Sequence, residues 1–371
     1  MRMVKKRVAV YIFYDEDGIV DDYVKFFINE LKTVADTIIV LVNGDLNQEG
    51  KRYFEENAAF LFQRENTGYE MYALESLFLE KMDRDYWHSF DELIICNDSF
   101  YGPFIPLREI FKKMESSESD YWGLARGTQT FFVEFIASFF VVYRKRIIEE
   151  DWIIKYFQEN KKYEIRNFSE VMALYEIGLF YYLKNRGFQS DAMVNLTKVL
   201  SQFPDECLIG EGAAILKRKA FAEDRCNVQR IQKCLDYISE KNLYNIDWIT
   251  SNAYRKYGYS EDAKSSTWEQ HEYKTRESDV LSFLTKHTDI YIYGAGGWGK
   301  DFWAAYREKI KNFKGFIVSD DQEIKNLHVW DLPVYHYSQV AEGASVIVAL
   351  SACNLSQVKA KLKHDNILIL E

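Results

Sequence analysis

The sequence predicts an α/β protein: a mixed, mostly parallel sheet with flanking helices, a helical middle segment, and a small second α/β domain at the C-terminus. Three observations predict it. Short apolar, β-branched runs alternate with helix-spaced segments over the first two hundred residues, the order that gives a parallel sheet wrapped by helices. Residues 201–286 are charged and helix-patterned, without a convincing strand. A strand, a glycine-rich turn and a helix then follow in DIYIYGAGGWGKDFWAAY, residues 289–306. A chain of 371 residues also exceeds one typical core, so more than one domain is expected.

Taken in order, Lys6–Tyr14 alternates apolar residues and reads as the first strand, ending in Asp15-Glu16-Asp17 without a small-residue cleavage site. A strand is therefore the better reading of this N-terminus than a secretory leader. Val20–Ala35 places Tyr23, Phe27, Leu31 and Val34 at helical spacing. Thr37–Val42 and Ala59–Gln63 are the second and third strands, and a helix is expected from about Thr67 to Met82. Leu93–Cys96 is the fourth strand. Tyr121–Ala125 and Phe135–Tyr143 read as strands without long crossovers, a mixed part of the sheet, before helices at Ile147–Gln158 and Phe168–Arg186. The most polar stretch, 262–279, is the expected linker, and Gly315–Ser319, Ser345–Leu350 and Ile367–Leu370 are later strands. The domains expected are 1–200, a helical segment and linker at 201–286, and 287–371.

Composition narrows the function. A net charge of −10 argues against a protein that coats nucleic acid. Five cysteines, without Cys-x-x-Cys spacing, suit a reducing, cytoplasmic compartment rather than a zinc site. No stretch reaches the roughly 18 apolar residues of a spanning helix, so the protein is expected to be soluble, or peripheral at the inner face of the cell membrane. The six histidines are scattered and show no pair at ligand spacing.

The informative residues are at strand ends. The first strand stops at Tyr14-Asp15, the second at Asn43-Gly44, the third at Arg64-Glu65-Asn66-Thr67-Gly68 and the fourth at Asn97-Asp98-Ser99. In a parallel sheet these ends lie side by side, where such sheets bind ligands; each taken alone is an ordinary turn signal. Asp98 offers carboxylate oxygens on a short arm, a donor type that suits a hard divalent cation shared with substrate phosphates. A helix-capping or turn aspartate is the plainer alternative.

The segments KRVAVYIFYDEDGIVDDY, VNGDLN, RENTGYE, ELIICNDSFYGPF, YWGLARG, SFFVVYRKRII and YEIGLFYYLKNRGF occur in this order over residues 6–195. As an ordered set they resemble the rhamnan synthesis protein F family of polysaccharide glycosyltransferases. The resemblance implies a GT-A-like fold and a nucleotide-diphosphate sugar donor. It also implies transfer, of rhamnose or another deoxysugar, to a growing glycan or lipid-linked glycan of the cell surface. By the same resemblance Tyr14 and Asp15 lie at the base of the donor pocket, with Asn43, Arg64, Asn66, Gly68 and Asn97 lining it. Asp98 stands at the Asp-x-Asp-like metal position for Mg²⁺ or Mn²⁺, although the motif's usual first Asp is replaced by Asn97. RENTG is followed by Glu70-Met71-Tyr72-Ala73 where the family pattern has an Asp and then Gly-Ala. Glu176 resembles the acid that opens a helix beside the acceptor, and is the expected catalytic base.

In the C-terminal domain Gly294, Gly296 and Gly299 fit Gly-x-Gly-x-x-Gly between a strand and a helix, with Asp320 following the next strand. That context belongs to nucleotide-binding Rossmann-like domains, of which this domain is an expected member; its nucleotide is not identified by the sequence. Two other functions stay open at this point. One is a nucleotide-dependent oxidoreductase acting through the glycine motif, and the other is a non-catalytic scaffold of a polysaccharide-assembly complex.

Overall fold

A computed structural model describes residues 5–128, 133–260, 262–267 and 274–371. The sequence-expected linker at 262–279 falls partly outside them, at 268–273. The chain divides into two compact units. The first takes the described residues within Met1–Gly127, Ile136–Gln158 and Gly187–Gln270, and the second those within Thr128–Phe135, Glu159–Arg186 and His271–Glu371.

The first ten strands are β1 (Arg7–Phe13), β2 (Thr37–Asn43), β3 (Phe60–Arg64), β4 (Glu92–Asn97), β5 (Phe100–Tyr101), β6 (Tyr121–Thr128), β7 (Glu134–Ile136), β8 (Phe140–Arg144), β9 (Ser190–Asn195) and β10 (Leu216–Lys217); all fall in the first unit except Thr128 of β6 and Glu134 and Phe135 of β7, which are counted with the second. The main sheet runs β3-β2-β1-β4-β8-β6-β7, with β9 beside β6, and β5 pairs with β10 in a two-stranded sheet. β1, β2, β3 and β4 are parallel, and β8 is antiparallel to both β4 and β6. This is the mixed, mostly parallel sheet with flanking helices that the sequence predicts. Val8–Phe13 and Ile38–Val42 are buried along their whole length, as strands covered on both faces must be. The helices Asp22–Lys32 and Gln48–Asn57 provide cover through Tyr23, Phe27, Leu31 and Phe54. Phe135–Tyr143 is two strands, not one: β7 and β8 are separated by a turn at Ala137–Phe139.

The domain boundaries differ from those expected. The helices Val228–Glu240 and Ile246–Tyr257 belong to the first unit, so residues 201–260 are not a separate segment. Their apolar faces bury Ile231, Cys234, Leu235, Ile238, Ile249 and Ala253, which requires a partner surface. In the other direction, residues 159–186 fold with the C-terminal unit rather than with the first two hundred residues.

The second unit holds β11 (Asp289–Tyr293), β12 (Asn312–Val318), β13 (Val334–His336), β14 (Ser345–Val348) and β15 (Asn366–Ile369). All pairs are parallel, in the order β13-β12-β11-β14-β15. The helix Gly297–Tyr306 is buried from Gly299 to Tyr306 and packs on the stretch Phe168–Asn185, whose middle is a π-helical turn at Met172–Gly178. Among the described residues no helix is long and apolar enough to cross a membrane.

Candidate functional site

The register of the parallel strands aligns four polar strand ends on one rim of the first unit. Ile12 of β1 is level with Asn97 of β4, Phe13 with Val42 of β2, and Asn43 with Arg64 of β3. Tyr14, Asp15, Asn43, Arg64, Asn97 and Asp98 therefore share the carboxyl edge of the sheet, with Asn66 and Gly68 in the loop that leaves β3. The strand ends are turned by local chemistry. Asp15 Oδ1 accepts the backbone N–H of Asp17 and of Ile19, and Asn97 Oδ1 accepts the N–H and hydroxyl of Ser99, the side-chain-closed turns that Asp and Asn favour. Gly68 needs its glycine: φ is +64°, and a Cβ there would lie 2.0 Å from the Tyr72 ring.

On the β3 side the polar groups serve one another. Arg64 Nη1 donates to Asn43 Oδ1 at 2.9 Å and to the Thr67 carbonyl at 2.8 Å, and Nη2 donates to the Thr67 hydroxyl. Asn43, nearly fully buried, donates in turn to the Tyr69 carbonyl. Arg64 thus holds the RENTG loop against β2. Burial lowers its guanidinium below the ordinary value, and it remains a cation at any working pH.

At β4 the arrangement differs from the sequence-based expectation. The Asp98 carboxylate is nearly buried and meets a second buried charge, Arg218, whose Nη1 lies 2.5 Å from Oδ2 and also donates to the Asp98 carbonyl at 2.8 Å. Lys217 Nζ donates to the Ser99 hydroxyl at 2.7 Å and stands over the Phe139 ring. Burial pushes the Asp98 carboxyl up, with Arg218 pulling partly against it. Glu70, in the first turn of the helix Tyr69–Ser76, is also raised, first by burial; it lies in the fields of Lys217 and Asp98. Asp15 belongs to the same electrostatic neighbourhood, since it too raises Asp98.

Asp15 itself is clamped. Arg255, on the helix Ile246–Tyr257, donates to both Asp15 oxygens at 3.1 and 2.7 Å, to Asp17 at 2.9 Å and to Asp21 at 2.6 Å. Burial alone would raise the Asp15 carboxyl, but the Arg255 bonds and two backbone N–H groups outweigh it and hold it below the ordinary range. Asn252 donates to Asp21 and accepts from the Tyr101 hydroxyl. Tyr14 stays partly exposed, with Lys256 Nζ 5.4 Å from its ring centre.

A metal centre built by the protein does not fit this rim. Of Asn97, Asp98 and Ser99 only Asp98 is a carboxylate, one of its oxygens faces Arg218, and the Asn97 oxygen is taken by Ser99. Among the described residues no group of three His, Cys, Asp or Glu side chains is placed to hold a metal ion.

Glu176 belongs to the second unit, whereas the strand ends above belong to the first. It is buried in the π-helical turn of the second unit, because that helix is apolar nearly all round and carries the acid into its packing with Gly297–Tyr306. There its charge raises Asp301, while Lys300 Nζ pairs with the buried Glu170 at 2.8 Å. Arg218, Lys217, Arg255 and Glu70 were missed as site residues. The signal for the first two was present in the basic triplet Lys217-Arg218-Lys219, within an otherwise acidic chain. No local signal placed Arg255 opposite Asp15, 240 residues away in sequence.

The second unit has a cleft of about 620 Å³ at the carboxyl ends of β11, β12 and β14. Gly294 and Gly296 line it, and Gly299 sits one turn into the helix below. Asp321 lines it rather than Asp320, whose carboxylate is turned away to accept the Ser338 N–H and is lowered by that bond.

Comparison with known proteins adds the following. The sequence model of the family described as rhamnan synthesis protein F matches residues 38–281, more than half of the chain. None of the curated proteins matches. Among solved structures, one described as a nucleotide-diphospho-sugar transferase from Desulfovibrio desulfuricans G20 aligns at 8% identity and a TM-score of 0.34, covering 53% of this chain and 83% of its own. Glucosyl-3-phosphoglycerate synthase from Mycobacterium tuberculosis, in complex with Mg²⁺ and uridine diphosphate, aligns at 10% identity and a TM-score of 0.31, covering 65% and 81%. A cytidylyltransferase from Leptospira borgpetersenii aligns at 9% identity and a TM-score of 0.32, covering 64% and 95%.

Proposed function

We propose, for a chain that belongs to the rhamnan synthesis protein F family, that the first unit transfers a sugar from a nucleotide-diphosphate donor to a glycan or lipid-linked glycan of the cell surface. Rhamnose or another deoxysugar is the sugar that the family description favours. The observation that carries this reading is the convergence of four polar strand ends with Lys217, Arg218 and Glu70 on one sheet rim. In the transfer, the acceptor oxygen bonds to the anomeric carbon as the bond to the diphosphate oxygen breaks, and that oxygen keeps the electron pair. Positive charge at the rim favours this departure. Lys217 supplies it, while Arg218 fixes Asp98 and the turn around it. The acceptor proton needs a carboxylate base of raised affinity; Glu70, in the fields of Asp98 and Lys217, takes the role expected of Glu176. Mg²⁺ or Mn²⁺ was expected on Asp98, but the Arg218 contact there leaves no step that runs through a cation.

The test is nucleotide diphosphate release from a panel of nucleotide sugars, with lipid-linked acceptor, in Mg²⁺, Mn²⁺ or EDTA. Wild type turns over one donor, and Lys217→Ala and Glu70→Gln each lose about a hundredfold or more. Equal turnover in wild type and both variants would falsify the site. A scaffold, which the ion-paired Asp98 favours as the second reading, releases nothing from any donor.

A further inference from the structure

The C-terminal cleft is not used by the transfer above, and it lies outside the part of the chain that the family model covers, which ends at residue 281. Its three motif glycines have different reasons to be glycine. Gly294 has φ +123°, and a Cβ there would come within 2.4 Å of the Ala349 carbonyl, so the turn off β11 demands it. Gly299 lies so close to β11 that a Cβ would fall 1.7 Å from the Gly294 carbonyl; the helix can approach the strand only without a side chain. Gly296 is the exception. Its φ of −83° suits any residue, and a Cβ would meet nothing within 4 Å. No contact among the described residues explains a glycine there. What a side chain at 296 would fill is the cleft.

The surroundings specify what the cleft admits. It opens where the strand order reverses, with β12 on one side of β11 and β14 on the other, the position at which parallel sheets bind nucleotides. Gly296 is the N-cap of the ten-residue helix Gly297–Tyr306 and has no side chain to satisfy its first-turn N–H groups, which suits a diphosphate. Asp321, past the end of β12, is the carboxylate of the lining, and none of the described lining residues is Lys or Arg. A carboxylate at that strand end accepts hydrogen bonds from a ribose diol and repels a 2′-phosphate. The volume of about 620 Å³ is that of a small-molecule site.

We infer that this cleft binds a nucleotide carrying a diphosphate and an unsubstituted ribose diol, with Gly296 at the diphosphate and Asp321 at the diol. Two sources share that chemistry, a nicotinamide dinucleotide and a nucleoside-diphosphate sugar. Titration calorimetry on the full chain with NAD⁺, NADP⁺ and UDP-glucose separates them, because whichever of NAD⁺ and UDP-glucose binds identifies the source. Gly296→Val fills open space and loses only the N-cap preference for glycine, so its melting temperature should stay close to that of wild type while binding weakens about tenfold or more. Asp321→Ala should weaken the same ligand, and NADP⁺ should bind about tenfold less tightly than NAD⁺ if the dinucleotide is the source. Asp98→Ala should leave this binding unchanged. The inference is overturned if none of the three binds wild type at about 1 mM, or if affinity is the same in Gly296→Val. It is overturned equally if UDP-glucose binding is lost in Asp98→Ala but kept in Gly296→Val, because that binding then belongs to the first unit's rim.

Discussion

Replacing Arg218 with Met should destabilise the first unit in a way that depends on pH. The guanidinium makes two contacts with Asp98, one to its carboxylate and one to its carbonyl, and the two side chains are only 6% and 14% exposed. Methionine fills a similar volume but leaves the carboxylate buried with that partner gone. Breaking a buried pair from one side costs about 3–5 kcal/mol. Protonation offers Asp98 an escape, because burial already raises its pKa against the pull of Arg218 and losing Arg218 raises it further. The sign follows from this: with the folded pKa above the unfolded one, stability is fully present below the ordinary Asp value and is lost as pH rises through the folded pKa. The deficit should therefore be smaller at pH 5, near the roughly 1.5–3 kcal/mol of a lost charge-assisted hydrogen bond, and largest at pH 8. Urea unfolding of wild type, Arg218→Met, Asp98→Asn and the double variant at both pH values measures it. The double variant should be more stable than Arg218→Met alone at pH 8, because it buries no charge. Equal deficits at the two pH values, with single effects that add to within about 0.5 kcal/mol, would refute the reasoning.

Three further outcomes follow from the same geometry. Arg255→Met strips the clamp from Asp15, Asp17 and Asp21 and should cost about 3 kcal/mol or more at pH 7; since Asp15 is held below its ordinary 3.8, the wild-type advantage is present above that value and should fade in acid denaturation curves. Asp301, nearly fully buried beside Glu176 and Lys300, is pushed up to about 8, first by burial and then by Glu176, so the folded second unit holds a proton that the unfolded chain releases. Its stability should fall by up to about 1.4 kcal/mol per pH unit between roughly 4 and 8, and Asp301→Asn should flatten that slope in melting curves across the range. Gly299→Ala should lower the melting temperature of the second unit by an amount equivalent to about 1–3 kcal/mol of overpacking or more, in contrast to the nearly silent Gly296→Val.

The sequence by itself determined the alternation of strands and helices, the parallel core β1 to β4 and the polar character of its strand ends, because apolar periodicity and turn chemistry are local properties. It also located the glycine motif, since a strand, a tight turn and a helix are contiguous there. What only the tertiary structure decided was which charges meet. Arg218 reaches Asp98 and Arg255 reaches Asp15 across 120 and 240 residues of chain, pairings that no spacing rule encodes. Glu176 illustrates the converse. Its sequence context suggested a helix acid facing a substrate, but the helix is apolar on nearly every face and is buried in the second unit. Which side of such a helix meets solvent is settled by what packs on it, and that partner, Gly297–Tyr306, lies more than a hundred residues further on.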